Sequence, residues 1–249
     1  MDPLLQVDRI IKFYGKTKAV NGISFHVQKG EIYGLIGPNG SGKTTTMNLI
    51  TNLITPTDGD IRIKGLSRDD LLARKSLGYI PDELLLPETL TGKEYLTFVM
   101  KMYEVEAYDF MWDLARLFRI DKVLDQLIGS YSHGMKKKIQ FMAALMHKPE
   151  LIILDEPFRG LDPETVIMLK DMILQLKETR GLLIATHDLL MATALCSKVG
   201  ILSNGVIVAE GTVDQLLRSY RAVTLEDVFL QATGLGRGGT QFEKVMANF

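Results

Sequence analysis

The segment that most constrains the fold is Gly37–Thr44, whose sequence GPNGSGKT fits the pattern G-x-x-x-x-G-K-[ST] at every specified position. The apolar run Ile32–Ile36 comes directly before it, as a buried strand would. Its glycines let the backbone turn tightly with no Cβ in the way, so successive N–H groups can face an anion. A helix starting near Gly42 would add the positive end of its dipole. The pattern therefore predicts a phosphate-binding loop between a strand and a helix, and a bound nucleoside triphosphate.

Individual side chains of this loop have separate predicted roles. Lys43 would bridge the β- and γ-phosphates, and the hydroxyl of Thr44 would be a ligand of Mg²⁺. The alternative is a Gly-rich turn before an ordinary helix, but a chance match is expected in only roughly one chain in a hundred of this length. The predicted nucleotide contacts from this region are Gly37, Pro38, Asn39, Gly40, Ser41, Gly42, Lys43, Thr44 and Thr45.

Composition excludes several other classes of protein. The chain has 249 residues, 46% of them hydrophobic, which is ample for a buried core. Its formal net charge is −1, so no basic field points to nucleic acid as a partner. The single Cys196 excludes an intrachain disulfide and fits a reducing compartment. The start of the sequence lacks a signal-peptide pattern, and no apolar run approaches the roughly 18 residues of a membrane span. We expect a protein that is soluble or only peripherally bound to a membrane.

The order of apolar segments predicts an α/β fold. The runs LIIL, LLIA and VGIL are typical of strands in a parallel sheet, and helical segments separate them. Residues 4–35 are predicted to form strands joined by turns, whereas 83–148 have apolar residues at helical spacing. Asn204-Gly205 predicts a two-residue hairpin turn. We therefore expect a P-loop NTPase core, a mostly parallel sheet with helices on both faces, carrying an N-terminal antiparallel β subdomain and a helical subdomain.

Polar side chains close two of the predicted parallel strands. LIIL ends in Asp155-Glu156, and LLIA ends in Thr186-His187. Ligands of such sheets bind at the carboxyl ends of the strands, so these residues should meet around the phosphates if the strands are neighbours. Asp155 would then hold Mg²⁺, directly or through a water. Glu156 would orient or deprotonate the attacking water, and His187 would bond the γ-phosphate or that water. The alternatives are a helix or loop cap for the acidic pair and a structural role for the histidine.

With these motifs in order, the sequence resembles the ATP-binding subunit of a bacterial-type ABC transporter, closest to the export-type subfamily. The resemblance spans residues 4–234 and adds four motifs to those already described. Residues 10–25 resemble the adenine-stacking segment, with Tyr14 as the aromatic platform and Val20 beneath it. Residues 78–83, GYIPDE, resemble the Q-loop. Residues 131–138, YSHGMKKK, lie where the signature LSGGQ belongs, and 160–163, GLDP, resemble the D-loop that contains Asp162.

The resemblance implies one ABC ATPase domain over residues 1–234. Its core would be 4–82 and 149–215, with the helical subdomain at 83–148 and a flexible tail at 235–249. ATP and Mg²⁺ would be bound between the phosphate loop of one chain and Ser132 to Gly134 of a second ATPase subunit, identical or homologous. A separate transmembrane permease would complete the transporter, which places the chain on the inner face of the cell membrane. The sequence VTLEDVFLQATG, 223–234, favours an exporter.

Two departures from the family pattern affect these expectations. The Q-loop position after Pro81 holds Asp82 where the family has Gln. A carboxylate there can still face Mg²⁺, but it adds negative charge and cannot donate a hydrogen bond. The signature keeps only Ser132 and Gly134, with His133 in place of Gly. The run Lys136–Lys138 that follows is interpreted as a solvated charged face, although lysines in a first helical turn also suit a bound anion.

Two other functions remain open at this point. A soluble ABC ATPase unconnected with transport is one, but such proteins usually carry two ATPase domains or long coiled coils, which this sequence lacks. A catalytically weak regulatory ATP-binding module is the other, supported by Asp82 and His133. The retained Lys43, Asp155 and Glu156 argue against it. A Mg²⁺-dependent ATPase activity lost in Glu156→Gln would exclude the second alternative.

Overall fold

The computed structural model describes residues 2–235, and all structural statements below concern these residues. Apart from Leu235, the predicted tail 235–249 lies outside them. Ten strands are described: β1 (Leu5–Tyr14), β2 (Thr17–Val27), β3 (Ile32–Ile36), β4 (Asp58–Ile63), β5 (Leu66–Ser67), β6 (Leu77–Ile80), β7 (Leu151–Asp155), β8 (Gly181–Thr186), β9 (Lys198–Ser203) and β10 (Val206–Gly211). The α-helices are α1 (Lys43–Ile50), α2 (Leu71–Lys75), α3 (Gly92–Met102), α4 (Tyr108–Leu117), α5 (His133–Leu145), α6 (Pro163–Lys177), α7 (Leu189–Leu195), α8 (Val213–Tyr220) and α9 (Leu225–Thr233).

The strands form two sheets. The order of the larger is β10-β9-β3-β8-β7-β6, parallel throughout except for the antiparallel edge strand β10. The smaller is antiparallel, in the order β2-β1-β4-β5. Both the mostly parallel core sheet and the N-terminal antiparallel sheet agree with the fold class that the sequence predicts.

Alternation along the central strands divides the core into two layers. Ile32 and Ile36 of β3 join one hydrophobic cluster, which also contains side chains of α3, α4, α5, α6 and α7. Tyr33 and Leu35 of the same strand join the other cluster, with α1 and the antiparallel sheet. A strand buried on both faces needs apolar residues at successive positions, which is why these strands read as continuous apolar runs.

Local sequence signals fix the ends of several elements. Asn204 and Gly205 have φ values of 48° and 77° and form the two-residue turn between β9 and β10. Helix α9 begins with a capping box, in which Thr224 and Asp227 satisfy each other's backbone N–H groups. Helix α5 begins at Ser132, whose hydroxyl accepts from the backbone N–H of Met135 at 3.3 Å.

Between β6 and β7 the chain leaves the sheet and forms the helices α3, α4 and α5. Leu96, Met111 and Phe141 from these three helices are buried together in one cluster. These apolar side chains, predicted at helical spacing, therefore form core. Within the part of the chain that the structure covers, no helix has the length and apolar character needed to cross a membrane.

Candidate functional site

The carboxyl ends of four neighbouring parallel strands meet at one edge of the large sheet. Strand β3 leads into the phosphate loop, β8 into His187, β7 into Glu156, and β6 into Asp82. The register places Ile36 beside Thr186 and Asp155 beside Ala185, so the strands end nearly level. The strands that end in the predicted site residues are therefore neighbours, which was the condition for these residues to meet.

These strand ends surround a cavity of about 310 Å³. Its wall combines the phosphate loop with one carboxylate from each of two other strand ends, and a histidine. The lining residues are Ala19, Asn39, Gly40, Gly42, Lys43, Thr44, Thr45, Asp82, Glu156, Arg159 and His187. Most of the predicted catalytic and phosphate-binding residues are therefore brought together, along with Arg159, which the sequence analysis did not single out.

Close backbone packing explains two glycines of the phosphate loop. A Cβ at Gly37 would lie 2.4 Å from the carbonyl oxygen of Leu202. Gly42 has a φ of 110°, and a Cβ there would lie 2.5 Å from the carbonyl oxygen of Ala19. Neither position admits a larger residue without moving backbone. Gly42 directly precedes α1, so the N-terminus of this helix faces the cavity.

Lys43 is held inside the loop that it would use to bind phosphate. Its Nζ donates to the carbonyl oxygens of Gly37 at 2.7 Å and Pro38 at 3.3 Å. The same Nζ lies 4.0 Å from a carboxylate oxygen of Glu156. Burial lowers the pKa of Lys43, while the carboxylates of Glu156 and Asp155 oppose that shift. The ammonium is thus oriented by weak backbone acceptors that an anionic phosphate can replace.

Asp155 is a deeply buried carboxylate whose charge the protein compensates only in part. Only 1% of the residue is exposed, and neither carboxylate oxygen has a hydrogen-bond partner among residues 2–235. Burial raises the pKa of Asp155 to about 6, and the carboxylates of Glu156 and Asp82 add to the rise, while the nearby Thr44 hydroxyl and Lys43 ammonium oppose it. A buried anion in this state is costly unless a cation accompanies it. This donor suits a hard divalent cation that takes its other ligands from phosphate and water.

Glu156 is fixed by three contacts from the end of β8. Thr186 Oγ1 donates to Glu156 Oε2 at 3.0 Å, and the His187 backbone N–H donates to Oε1 at 3.1 Å. The His187 ring Nδ1 lies 2.8 Å from the same Oε1. Glu156 has a φ of 45°, a left-handed conformation that is uncommon outside glycine. A carboxylate oriented by a histidine at the mouth of a phosphate cavity is the arrangement needed to activate a water.

The remaining predicted site residues lie apart from this cavity. Tyr14 ends β1 half exposed, with Lys12 Nζ 5.5 Å from the centre of its ring, and Val20 is fully buried nearby in β2. Ser132 and Gly134 open α5, and neither lines the cavity. Asp162 caps α6 by accepting from the Thr165 backbone N–H at 3.0 Å. An ideal Cβ at Gly134 would be 3.7 Å from Asp162 Oδ2, so the signature and the D-loop segment adjoin each other.

Asp82 has a partner that the sequence motifs do not reveal. Arg159 Nη1 donates to Asp82 Oδ2 at 2.7 Å, and both side chains line the cavity. A metal ion would have to compete with this guanidinium for the carboxylate, so the predicted metal role of Asp82 remains a prediction. Arg159 lies three positions before Asp162, between two recognised motifs, and residue spacing alone gives no signal for it.

The interpretation of Lys136–Lys138 as a solvated face is wrong for Lys137. This lysine is 1% exposed, and its Nζ donates to the carbonyl oxygen of Pro81 at 2.8 Å. Burial lowers the pKa of Lys137 to about 8, although the carboxylates of Asp82, Asp155 and Glu156 oppose the shift. Its neighbour Lys136 pairs with Glu88 at 2.5 Å. Helix α5 packs against the segment that follows β6, which turns one lysine of the run inward.

Comparison with known proteins gives consistent matches. A family profile described as ABC transporter matches residues 20–159. The linearmycin resistance ATP-binding protein of Bacillus subtilis (strain 168) is 38% identical over 219 residues, which are 86% of this chain and 70% of that protein. The bacitracin transport ATP-binding protein of Enterococcus faecalis is 32% identical, covering 92% of this chain and 75% of that protein. A solved structure of an ATP-binding subunit of an ABC transporter superposes with a TM-score of 0.87 at 33% identity, over 92% of this chain and 99% of that one.

Proposed function

The chain belongs to the ABC transporter family as an ATP-binding and ATP-hydrolysing subunit, and from this premise we propose that it powers export through a separate membrane permease. The main observation behind the ATPase activity in this proposal is the position of Glu156. Thr186 and His187 hold it beside Lys43 at the mouth of the phosphate cavity. Export is supported by two relatives, one named for linearmycin resistance and one for bacitracin transport. The sequence 223–234, which forms the start and body of α9, is the further feature that favours it.

The proposed hydrolysis assigns one task to each residue. Lys43 leaves its backbone acceptors and neutralises the β- and γ-phosphates. Asp155 and Thr44 would hold Mg²⁺, and the chemistry this ion would supply is polarisation of the phosphate oxygens. Glu156 accepts a proton from the attacking water, and His187 keeps the carboxylate oriented and donates toward the charge that develops. Tyr14 stacks against the adenine, with Val20 filling the space behind it.

A second ATPase subunit is needed to complete each site. Ser132 and Gly134, the predicted signature contacts to the γ-phosphate, do not line the cavity of their own chain. Two chains related by a two-fold axis and packed head to tail would place the signature of each against the phosphate loop of the other. The backbone N–H groups at the start of α5 would then face the γ-phosphate. ATP is accordingly part of the interface.

Mixing two inactive variants tests this arrangement. Lys43→Ala removes the phosphate-binding cation, and Gly134→Asp puts a carboxylate where the partner's γ-phosphate would be, at a position where a Cβ is tolerated. Each variant alone should hydrolyse ATP negligibly. A one-to-one mixture should recover about a quarter of the wild-type rate, because half of the dimers are mixed and each has one intact site. A mixture no more active than its components would rule out composite sites.

The permease would bind in an apolar groove beside the Q-loop segment. This groove, of about 420 Å³, lies between the phosphate-loop layer and the helical subdomain, and is lined in part by Leu53, Tyr79, Leu85, Phe98 and Met102. Leu85 is 78% exposed and Met102 62% exposed, so the groove leaves large apolar side chains in water. Such exposure marks a binding surface. A short amphipathic helix on the permease is the proposed occupant, which places the chain on the cytoplasmic face of a membrane.

Affinity purification from detergent-solubilised native membranes tests the transporter function directly. The tagged wild-type chain should recover an integral membrane protein in near-stoichiometric amount. Phe98→Asp, which charges the groove, should reduce that recovery about ten-fold or more, since an unpaired charge in an apolar interface is strongly unfavourable. Val223→Asp is the matched control, because Val223 is exposed outside the groove. Recovery of the wild-type chain only with soluble partners, ribosomes or DNA would support a soluble ATPase instead.

A further inference from the structure

We propose that Arg159 is a positioning residue of the ATP site, which offsets the charge of Asp82 so that this carboxylate can stand beside the γ-phosphate. The inference rests on the nucleotide site proposed above. Asp82 occupies the place where the family has a neutral Gln, and it lines the same cavity as Lys43 and Glu156. It therefore adds a negative charge to a cavity that already has Glu156 in its wall, with Asp155 buried nearby, and that is to receive a triphosphate.

Asp82 cannot relieve this repulsion by moving away. The backbone on both sides of it is bonded to helix α5: Lys137 Nζ donates to the Pro81 carbonyl, and Gln140 Nε2 donates to the Glu83 carbonyl, each at 2.8 Å. Lys137 and Gln140 are only 1% and 6% exposed, so the two bonds are shielded from water. The carboxylate is held at the cavity wall by its own flanking residues.

Arg159 supplies the compensating charge from a different segment of the chain. Its Nη1 bonds Asp82 Oδ2 at 2.7 Å, joining the segment after β6 to the segment between β7 and α6. The backbone around Arg159 is supported in turn, because the His133 ring Nε2 lies 3.4 Å from the Arg159 carbonyl oxygen. Gly160 follows with a φ of 69°, and a Cβ there would lie 3.0 Å from the same ring nitrogen. Two departures from the family motifs, Asp82 and His133, thus both contact Arg159.

The ion pair between Asp82 and Arg159 should affect the affinity for ATP but not the affinity for ADP. When Arg159 is present, Asp82 and Arg159 together contribute no net charge beside the terminal phosphate. When it is absent, Asp82 loses its ion-pair partner and keeps only the Lys137 ammonium acting on it from farther away, so its carboxylate faces the γ-phosphate, which ADP lacks. At the effective dielectric constant of a protein surface, one such charge several ångström away weakens binding by about ten-fold or more. The effect should appear in ATP binding and leave ADP binding almost unchanged.

Calorimetric titration of the purified full chain tests this, with Mg²⁺ and either a non-hydrolysable ATP analogue or ADP. Arg159→Ala should bind the analogue about ten-fold more weakly and ADP within about two-fold of wild type. Asp82→Gln/Arg159→Ala should restore wild-type affinity, because removing the carboxylate removes the need for its partner. Arg159→Lys should stay near wild type, since it keeps the charge. Arg218→Ala, on an exposed residue of α8, is the matched control.

Two results would overturn the inference. If Asp82→Gln/Arg159→Ala binds the analogue as weakly as Arg159→Ala, Arg159 acts on the phosphate directly and not through Asp82. If Arg159→Ala binds both nucleotides like wild type, the ion pair is a surface contact without a role in the site. Failure of the nucleotide site itself is distinguishable, because the wild-type chain would then bind neither ligand. The side chain of Arg159 is 66% exposed, so these substitutions leave the core intact.

Discussion

Glu156→Gln should reduce kcat for ATP hydrolysis by about 10²–10⁴-fold, the usual contribution of a general base, while ATP still binds. The amide keeps an oxygen that can accept from Thr186 or from the His187 backbone, so the site geometry changes little. It cannot take a proton from water. The variant also loses the charge 4.0 Å from Lys43, which leaves that ammonium freer to bind phosphate. The measurement is steady-state phosphate release with a parallel ATP-binding titration.

The same variant should accumulate as an ATP-bound dimer in gel filtration, since in the proposed dimer ATP lies in the interface and is no longer hydrolysed. Glu178→Gln, on an exposed residue just after α6, is the control and should behave as wild type in both assays. Residual turnover above about a tenth of the wild-type rate would contradict the role of Glu156 as base. It would favour the alternative in which the acidic pair only caps a helix or loop.

Asp155→Asn should abolish Mg²⁺-dependent hydrolysis and at the same time stabilise the nucleotide-free protein. Burial raises the pKa of Asp155 to about 6 from an ordinary value near 3.8. The folded state therefore holds a proton more tightly than the unfolded state does, so the free energy of unfolding falls as pH rises from about 4 to about 6. Above that range the penalty is complete, at about 2–3 kcal/mol. Asparagine has no charge to bury and should recover this amount at pH 7.

Urea denaturation of the nucleotide-free chain between pH 4.5 and 7.5 measures the effect. The difference in the free energy of unfolding between Asp155→Asn and wild type should grow as the pH rises through this range. Asp171→Asn, on an exposed residue of α6, provides the matched control and should give a curve parallel to wild type. If the free energy of unfolding of wild type and of Asp155→Asn changed in parallel with pH, burial of the Asp155 carboxylate would carry no penalty in the nucleotide-free protein. Loss of activity combined with gain of stability distinguishes a cation ligand from a residue that supports the fold.

Much of the fold and site follows from short-range sequence signals. The phosphate loop is predictable because a buried strand, a turn that requires glycine and a helix occur together at Ile32–Ile50. Asp155 and Glu156 are predictable because an acidic pair that closes an apolar strand requires compensation. The turn at Asn204-Gly205 and the cap at Thr224 depend only on neighbouring residues. In each case the physical cause acts within a few positions of the chain.

Other features depend on contacts between segments that are far apart in the sequence. Local sequence patterns do not predict such contacts. Lys137 belongs to a run of three lysines, and only the packing of α5 against residues 81–83 decides which lysine is buried. The partner of Asp82 lies 77 positions away at Arg159. Likewise, β1 pairs with β4 as well as with β2, an order that strand periodicity leaves undetermined. The charge balance of the site is therefore a tertiary property.

In the proposed dimer, helix α5 would contact two different nucleotide sites, one near each end of the helix. Its first turn, at Ser132 to Gly134, would touch the ATP held by the partner, while Lys137 and Gln140, one to two turns further on, hold the wall of the chain's own ATP cavity. A rigid helix of 13 residues cannot shift at one end and stay still at the other. In such a dimer, each of the two α5 helices would contact both nucleotide sites. A change at one site would therefore be transmitted to the other. Hydrolysis at one site would then alter the other site through this helix.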